Sequence, residues 1–305
     1  MFTIKDVGVE KYKSLLIKNG NIHIPLTQAP GYSESNIYLL LKESNNEVGL
    51  ISISLRKKFR GLIKYARINN GPVIFSKIIK TEELLNLIFI FLRKKGYRFI
   101  FFAPYHSINY EDIKKLKFIF KLPLKSRGTI IINLNKKIDE ISRALKQKWR
   151  NTLNKGLKNV KVIKLENHEN KIKNLSVYRE FAKNKKNFIP IDTNICLKWL
   201  SNKDELIKID IYTAVTIDQE FLGSVGIASF AKASCYLFGF SNNKGRKLHA
   251  NSVLLWYAIK EAKSRNHDFF DLGELDESTP PGIKRFKEGL GGNKIINAGE
   301  FLKIT

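Results

Sequence analysis

The sequence predicts an α+β protein of two similar domains, each a mostly antiparallel, twisted sheet flanked by helices. Both halves of the 305-residue chain follow the same order: hairpin strands, one helix and a final strand. The junctions before the final strand also look alike, since residues 95–100 read KGYRFI and residues 265–270 read RNHDFF. An offset of about 170 residues, near half the chain length, indicates a duplicated domain.

In the first half, strand-like runs rich in Ile, Val, Phe and Tyr lie near residues 37–42, 48–55 and 62–68. A helix is expected at about residues 82–95, followed by a strand at 98–103. The helix is predicted by apolar residues that recur at a spacing of three to four and so share one face, namely Leu84, Leu85, Ile88, Phe91 and Leu92.

The second half repeats this pattern, with strand-like runs near residues 211–217, 221–231 and 235–240. A helix is expected at about residues 250–265, before a strand at 268–272. Its predicted buried face consists of Ala250, Val253, Leu254, Tyr257, Ala258 and Ala262.

The segment 135–161 between the halves is the most basic helical stretch, with nine Lys or Arg residues against Asp139 and Glu140. We therefore expect a first domain at residues 1–135, a basic connecting helix at 136–160 and a second domain at 161–305. Ile138, Ile141, Leu145 and Trp149 share one arc of this helix, and the opposite arc carries Arg143, Lys146, Arg150 and Lys158. Such a helix can pack on the protein and present charge to a polyanion, although a cationic face can also be merely solvated.

The composition indicates a polyanionic partner. There are 54 basic and 28 acidic residues, a net charge of +26, which suits RNA, a phosphorylated substrate or an anionic membrane face. A codon bias towards Lys and Asn is the alternative explanation. Two cysteines without a CxxC motif favour a reducing compartment. With no apolar signal core at the N-terminus, we expect a cytoplasmic protein, whose charge also suits peripheral contact with the inner membrane face.

The stretch 269–292, FFDLGELDESTPPGIKRFKEGLGG, is the most informative part of the chain. A short apolar strand ends at Asp271, and a Pro-Pro-Gly turn leads to a cationic element with Lys284 and Lys287, closed by three glycines. α/β folds often place their chemistry at such a strand end. The acidic cluster that begins at Asp271 can hold a substrate ammonium or accept its proton, or it can simply form a turn with helix-capping acids.

This stretch resembles the closing segment of the FemABX family, which transfers aminoacyl groups from aminoacyl-tRNA to cell-wall precursors. The residues that carry the resemblance are Asp271, Gly273, Gly282, Phe286, Lys287, Leu290, Gly291 and Gly292. Related acyltransferases of polysaccharide loci share much of it. The resemblance implies two GNAT-like acyltransferase domains in tandem, which agrees with the predicted order of strands and helices.

Two further segments resemble the family. Residues 28–32, QAPGY, are similar to its early Gln-x-x-x-Tyr/Trp segment, and residues 65–72, YARINNGP, to a strand end with Tyr, Arg and Gly-Pro. Asn70 stands where the family has an Arg before Gly-Pro. Residues 149–156, WRNTLNKG, loosely follow the basic helix that precedes the second domain in the family.

The resemblance assigns Lys287 the catalytic role at the tRNA end and makes Phe286 a stacking or packing neighbour. It implies that the activated ester of aminoacyl-tRNA is the donor, with no metal or other cofactor, and that a nucleotide- or lipid-linked cell-wall or glycan precursor is the acceptor. The candidate substrate-binding residues are Phe286, Lys284, Arg150, Tyr65, Arg67 and Asp271. The candidate tRNA- or phosphate-binding residues are Arg143, Lys146, Arg150, Lys158 and Arg246.

Two other functions stay open on the sequence. One is an N-acyltransferase that uses a CoA thioester and acts on an amino sugar of a surface polysaccharide. A pyrophosphate site would then be expected at residues 243–251, which hold one glycine and three cations but lack a clean glycine-rich turn. The other is a catalytically inactive module that binds RNA or the envelope. No histidine pair with metal-ligand spacing, no GxSxG and no Walker A motif is present.

Overall fold

The computed structural model of the chain describes residues 1–33, 36–76, 80–105, 108, 110–122, 127–183, 185, 190–201, 207–277 and 279–305. The chain divides into two compact units. Unit 1 comprises Met1–Gly128 and Ile295–Thr305, and unit 2 comprises Thr129–Lys294.

The described strands, in chain order, are β1 (Phe2–Asp6), β2 (Asn36–Glu43), β3 (Asn46–Lys58), β4 (Ile63–Gly71), β5 (Val73–Ile74), β6 (Phe99–Pro104), β7 (Ile119–Lys121), β8 (Arg127–Asn133), β9 (Lys161–Lys164), β10 (Lys208–Val215), β11 (Phe221–Phe230), β12 (Ala233–Ser241), β13 (Phe269–Asp271), β14 (Leu275–Asp276), β15 (Asn293–Ile296) and β16 (Phe301–Ile304). The helices are α1 (Val9–Lys18), α2 (Thr81–Lys94), α3 (Tyr110–Lys114), α4 (Ile138–Ala144), α5 (Gln147–Gly156), α6 (His168–Lys183), α7 (Thr193–Ser201), α8 (Asn243–Lys247), α9 (Ala250–Ser264) and α10 (Pro281–Glu288). Two 3₁₀ turns lie at Leu26–Gln28 and Phe59–Gly61.

Unit 1 is built on a sheet with the strand order β1-β2-β3-β4-β6-β16-β7, and β5 pairs with β3. β1 to β4 pair antiparallel, whereas β6 runs parallel to β4 after the crossover through α2. The predicted apolar face of α2 is buried against this sheet, because Leu84, Leu85, Ile88 and Leu92 join Ile51, Ile53, Ile68, Ile100 and Phe102 in one core.

Unit 2 repeats the plan on a sheet with the order β14-β8-β13-β12-β11-β10-β9, and β15 pairs with β8. β9 to β12 pair antiparallel, and β13 runs parallel to β12 after the crossover through α9. The predicted face of α9 forms much of the core, with Ala250, Val253, Leu254, Ala258 and Ala262 buried and Tyr257 partly buried.

The two units therefore share one architecture: an antiparallel three-stranded meander, a crossover helix and a parallel strand. This confirms the predicted α+β class and the order of elements in each half. The sequence did not predict one feature of each sheet: a further strand pairs antiparallel with the parallel strand that follows the crossover helix. In unit 1 it is β16 from the end of the chain, and in unit 2 it is β8 from before the basic helices.

The domain boundaries of the structure differ from the predicted ones. The prediction was a first domain at residues 1–135, a connecting helix at 136–160 and a second domain at 161–305. Unit 2 begins at Thr129, because β8 pairs with β13, and residues 295–305 belong to unit 1, because β16 pairs with β6. Both pairings join segments far apart in the chain, which no local pattern reveals.

The basic connecting helix is two helices rather than one. α4 ends before Leu145, and Leu145 and Lys146 have extended backbones. The break lets Leu145 enter the core while the Lys146 N–H donates to the Gly289 carbonyl at 2.9 Å. The predicted apolar arc is otherwise correct, since Ile141, Leu145 and Trp149 are buried and Ile138 is partly buried.

None of the helices within the described ranges is both long and apolar enough to cross a lipid bilayer.

Candidate active site around Lys287

The short helix α10 places Lys287 inside unit 2. Pro281 occupies the first helical turn, where its missing N–H costs nothing. Lys284 and Arg285 on this helix are exposed, whereas the side chain of Lys287 is only 6% exposed. Because a buried ammonium is costly unless it is hydrogen-bonded or paired, Lys287 differs from the many surface lysines of this basic chain.

The Lys287 ammonium contacts two groups that hold it in place. Its Nζ donates a hydrogen bond to the Glu274 carbonyl oxygen at 2.8 Å, and it lies 5.7 Å from the centre of the Tyr236 ring, within cation–π range. An ammonium has three N–H donors. Among the described residues, Nζ makes no other hydrogen bond, so two of its three donors are not used by the protein.

This position is where two parallel strands separate. The pairing of β12 with β13 ends at Cys235 and Asp271, although β12 continues to Ser241. Gly273 turns the chain away with a φ of +71°, and a Cβ there would lie 2.6 Å from the Tyr236 carbonyl oxygen, so only glycine fits. The same Cβ position is 3.7 Å from the Lys287 Nζ, which places the ammonium at the point of divergence.

Burial lowers the pKa of the Lys287 ammonium from its ordinary value. The nearby Cys235, Asp271, Glu274 and Asp276 oppose this shift. Burial also raises the pKa of the Cys235 thiol and raises the pKa of the Cys196 thiol to about 12. Because the thiolate is the nucleophilic form, neither cysteine suits nucleophilic catalysis at neutral pH.

Asp271 closes the turn at the end of β13. Its Oδ1 accepts hydrogen bonds from the Thr129 hydroxyl and, at 2.8 Å, from the Gly273 N–H. A second turn follows, in which the Thr279 hydroxyl accepts from the Asp276 N–H at 2.9 Å and donates to the Asp276 carboxylate at 3.0 Å. These contacts give the two carboxylates a structural role in shaping the loop, and they leave Asp271 close enough to influence the charge on Lys287.

Phe286 joins α10 to the basic helices. Its ring packs on Trp149 of α5 with 5.8 Å between the ring centres. The glycines that follow α10 permit this close approach. A Cβ on Gly289 would lie 2.6 Å from the Trp149 ring, and one on Gly291, whose φ is +73°, would lie 2.0 Å from the Ala144 carbonyl oxygen. Glycine is therefore needed at residues 289 and 291 to seat the Lys287 loop against α4 and α5.

The predicted phosphate-binding residues of α4 and α5 lie on the same unit as Lys287. Arg143, Lys146 and Lys158 are exposed. Arg150 is half-buried and donates to the Gln147 side-chain oxygen at 2.9 Å. The predicted cationic arc thus faces solvent, apart from Arg150, which is partly held by a neighbour.

Residues 243–251, where a CoA pyrophosphate would be expected, form α8 and the start of α9, and several of their donors already have partners within the protein. The Gly245 N–H already donates to the Asn242 side chain at 2.7 Å, and Gly245 is packed so tightly that a Cβ would lie 2.2 Å from the Leu222 carbonyl oxygen. Lys244 is paired with Glu220. Arg246 is exposed, with its guanidinium donating to the Asn243 side chain.

Tyr65 and Arg67 lie in unit 1, on alternate positions of β4. The Tyr65 ring meets Phe101 edge-on at 5.5 Å. Arg67 forms an ion pair with the buried Glu300 at 2.8 Å and donates to the Asn69 side chain at 3.0 Å. Arg67 therefore stabilises the attachment of the chain end, while 39% of its side chain stays exposed.

Tyr236 is a neighbour of Lys287 that the sequence did not predict. It lies beside a register shift between β11 and β12, where Tyr236 faces Ile227 and Phe238 faces Gly226, so that one extra residue is accommodated. Burial raises its pKa, so the phenol stays neutral. No sequence signal marks this tyrosine, because its contact with Lys287 depends on where two distant strands separate.

Several solved structures share this architecture. A crystal structure of FemX matches 99% of this chain and 97% of its own, with a TM-score of 0.77 and 14% identity. A tandem GNAT protein from the clavulanic acid biosynthesis pathway matches 99% and 98%, with a TM-score of 0.56 and 8% identity. The structure of L-PGS from Bacillus licheniformis matches 96% and 90%, with a TM-score of 0.56 and 14% identity.

No known protein-family profile matches the sequence, and the comparison with curated proteins finds no significant similarity. The likeness is thus one of fold. The chain has the Fem-like architecture of tandem GNAT-like units, as the sequence predicts.

Proposed function

We propose that the protein is a Fem-like acyltransferase that moves an aminoacyl group from aminoacyl-tRNA to an amine of a cell-wall or envelope precursor. The observation that carries this proposal is the Lys287 ammonium, which is buried at the divergence of β12 and β13 and has two N–H donors that the described residues do not use. The Fem-like fold and the resemblance of residues 269–292 to the FemABX closing segment support the same reaction.

In the proposed step, the acceptor amine attacks the ester carbonyl that joins the amino acid to the ribose. A C–N bond forms, the C–O bond to the ribose breaks, and the proton lost by the amine is balanced by the proton gained by the ribose oxygen. Negative charge develops on the carbonyl oxygen in the transition state. The Lys287 N–H groups are suited to stabilise this oxyanion, because the ammonium is fixed in advance by Glu274 and Tyr236 and is almost completely buried.

The exposed positive charge of unit 2 suits tRNA as the carrier of the aminoacyl group. The exposed cations are Arg143 on α4, Lys146 between α4 and α5, and Lys158 after α5. This segment contacts the Lys287 loop at Gly289 and Gly291. Residues 243–247 offer less to a CoA pyrophosphate, since the Gly245 N–H and Lys244 already have partners. We therefore favour RNA over CoA as the carrier.

A donor comparison tests the proposal. The purified protein is incubated with charged tRNAs or with acyl-CoA, each with peptide-bearing and amino-sugar nucleotide acceptors, and acylated product is measured. Product is expected from aminoacyl-tRNA and is expected to fall sharply in Lys287→Met. Lys260→Met is the matched control, because Lys260 is an exposed lysine on a helix of the same unit. Product from acyl-CoA alone would overturn the choice of donor, and no product with either would favour a binding module.

Salt dependence gives a second test. Binding of tRNA through phosphate contacts weakens steeply as salt rises, by a factor set by the number of phosphates neutralised. Replacing Arg143 and Lys158 by Gln is expected to weaken tRNA binding and to flatten this dependence. An affinity for tRNA that does not change between low and moderate salt would contradict the assignment of these helices.

A further inference from the structure

The hairpin that joins β3 and β4 ends in a turn of unusually exposed apolar side chains. Leu62 is 88% exposed, Phe59 is 70% exposed and Ile63 is 42% exposed. The chain reverses through Phe59, Arg60 and Gly61, all with positive φ, so the turn holds these side chains away from the sheet. Neighbouring apolar side chains that stay exposed commonly mark an interaction surface.

Cations surround this turn. Lys57, Lys58, Arg60 and Lys64 are all exposed, and none of them forms an ion pair with a described residue. The run from residue 55 to residue 68, LRKKFRGLIKYARI, contains no acidic residue. The turn therefore combines unpaired positive charge with apolar side chains that point outward.

Further apolar side chains lie at the same end of the unit 1 sheet. Phe99, 42% exposed, begins β6 opposite Tyr65, and Ile304, 40% exposed, pairs with Phe99 on the next strand. The Ile304 N–H donates to the carbonyl of Phe118, whose side chain is 71% exposed. The chain neighbours Arg98, before Phe99, and Lys117, before Phe118, are exposed cations. We call the Lys57–Lys64 turn with Phe99, Phe118 and Ile304 the hairpin-tip surface.

The register shows how far the turn projects. β6 begins at Phe99, which is level with Tyr65, whereas β4 begins two residues earlier, at Ile63. At about 3.3 Å per residue, the hairpin extends about 7 Å beyond the neighbouring strand before its turn begins. This projection is comparable to the depth to which amphipathic elements enter the lipid headgroup region.

We propose that the hairpin-tip surface binds membranes rich in anionic phospholipids, with Phe59 and Leu62 entering the headgroup region and the surrounding cations contacting lipid phosphates. RNA would satisfy the cations but would leave Leu62 and Ile63 exposed to water. An acidic bilayer surface satisfies both, because apolar side chains partition below the headgroups while Lys and Arg stay at the phosphate level. This proposal does not depend on the reaction at Lys287.

Flotation with vesicles tests the proposal. The protein is mixed with vesicles of phosphatidylcholine alone or of phosphatidylcholine with phosphatidylglycerol, and the bound fraction is measured. Wild type is expected to bind only the vesicles with phosphatidylglycerol, and less so at high salt. Leu62→Ser is expected to weaken binding about tenfold, because a leucine side chain no longer leaves water. Lys58→Gln with Arg60→Gln is expected to weaken it about thirtyfold.

Ile217→Ser is the matched control. Ile217 is 61% exposed next to the β10–β11 hairpin turn of unit 2, but it precedes Asp218 and so lacks the cationic surroundings. This variant is expected to bind vesicles like wild type. Leu62 has an ordinary helical φ of −61° and a solvent-facing side chain, so Leu62→Ser is expected to keep its melting temperature.

Three results would overturn the proposal: equal binding to both kinds of vesicle, no binding to either, or vesicle binding by Leu62→Ser within twofold of wild type. If the cation variant instead loses tRNA binding while Leu62→Ser has no effect on vesicles, the surface binds RNA. If Leu62→Ser dissociates a dimer seen by sedimentation without altering flotation, the surface joins two copies of the chain.

Discussion

Lys287→Met tests the central mechanistic claim, because it removes the ammonium and keeps most of the apolar length of the side chain. A preorganised donor to a developing oxyanion is worth about 2.7 to 4 kcal/mol, a factor of about 10² to 10³ in turnover. Lys287 is 6% exposed and already fixed by Glu274 and Tyr236, which are the conditions under which such a donor has its full effect. We therefore expect turnover to fall by about 10² or more.

The effect on stability is expected to be small, because two contributions oppose each other. The variant loses a hydrogen bond from a charged donor to the Glu274 carbonyl, worth about 1.5 to 3 kcal/mol. It also no longer buries an ammonium, whose desolvation is unfavourable and lowers its pKa. A change within about 1 kcal/mol corresponds to about 2–4 °C in melting temperature for a domain of this size.

The assay is single-turnover transfer of a labelled aminoacyl group, with the melting temperature measured on the same preparations. Lys260→Met controls for the loss of one positive charge from unit 2. Turnover of Lys287→Met within a few-fold of wild type would refute the role given to the ammonium. A collapse of the melting temperature together with activity would show that Lys287 is chiefly structural.

Three other predictions follow from the same structure. The pKa of Lys287 is lowered from the ordinary 10.5, so a reaction that needs the ammonium should decline as pH rises through a value below 10.5, and the residual rate of Lys287→Met should lack that decline. Burial would raise the pKa of Asp210, but Arg265 and Lys164 outweigh it and lower the pKa. Asp210→Asn should therefore cost about 2 kcal/mol at neutral pH by denaturant unfolding, less than a fully buried pair because Arg265 is partly exposed. The difference from wild type should begin to shrink as the pH falls to about 3.9, the ordinary pKa of an aspartate in the unfolded chain, and should disappear only below the lowered pKa of Asp210 in the folded protein. Gly291→Ala should destabilise unit 2 by about 3 kcal/mol in the same measurement. The new Cβ would lie 2.0 Å from the Ala144 carbonyl oxygen, and the φ of residue 291 is +73°. A free energy of unfolding within about 0.5 kcal/mol of wild type, as for an ordinary surface substitution, would contradict the packing described for this loop.

The predicted helices and strands of both halves agree with the structure to within a few residues at most ends. The helix expected at 250–265 is α9 at Ala250–Ser264, and the strand expected at 98–103 is β6 at Phe99–Pro104. These agreements have a local cause, since the spacing of apolar residues that buries one face of a helix or strand can be seen within a short stretch of sequence.

Local patterns failed where the chain is paired with distant segments. The basic stretch has the periodicity of one helix, yet it breaks at Leu145 and Lys146 because Gly289 accepts the Lys146 N–H. Lys284 and Lys287 lie three residues apart on α10, and no local pattern shows that this helix exposes the first and buries the second. Which lysine is buried depends on Tyr236 and Gly273, and these residues meet only in the folded unit.

The amino-acid sequence alone was sufficient to predict the α+β class and the repeated order of strands and helices, and to single out residues 269–292. Each of these depends on the spacing or identity of residues within a short stretch of the chain. Tertiary structure decided which strands close each sheet, how the basic segment breaks and where the Lys287 ammonium lies. The physical reason is that the loop and the helix around that ammonium are held by segments more than a hundred residues away in the chain, since Thr129 donates to Asp271 and Trp149 packs on Phe286.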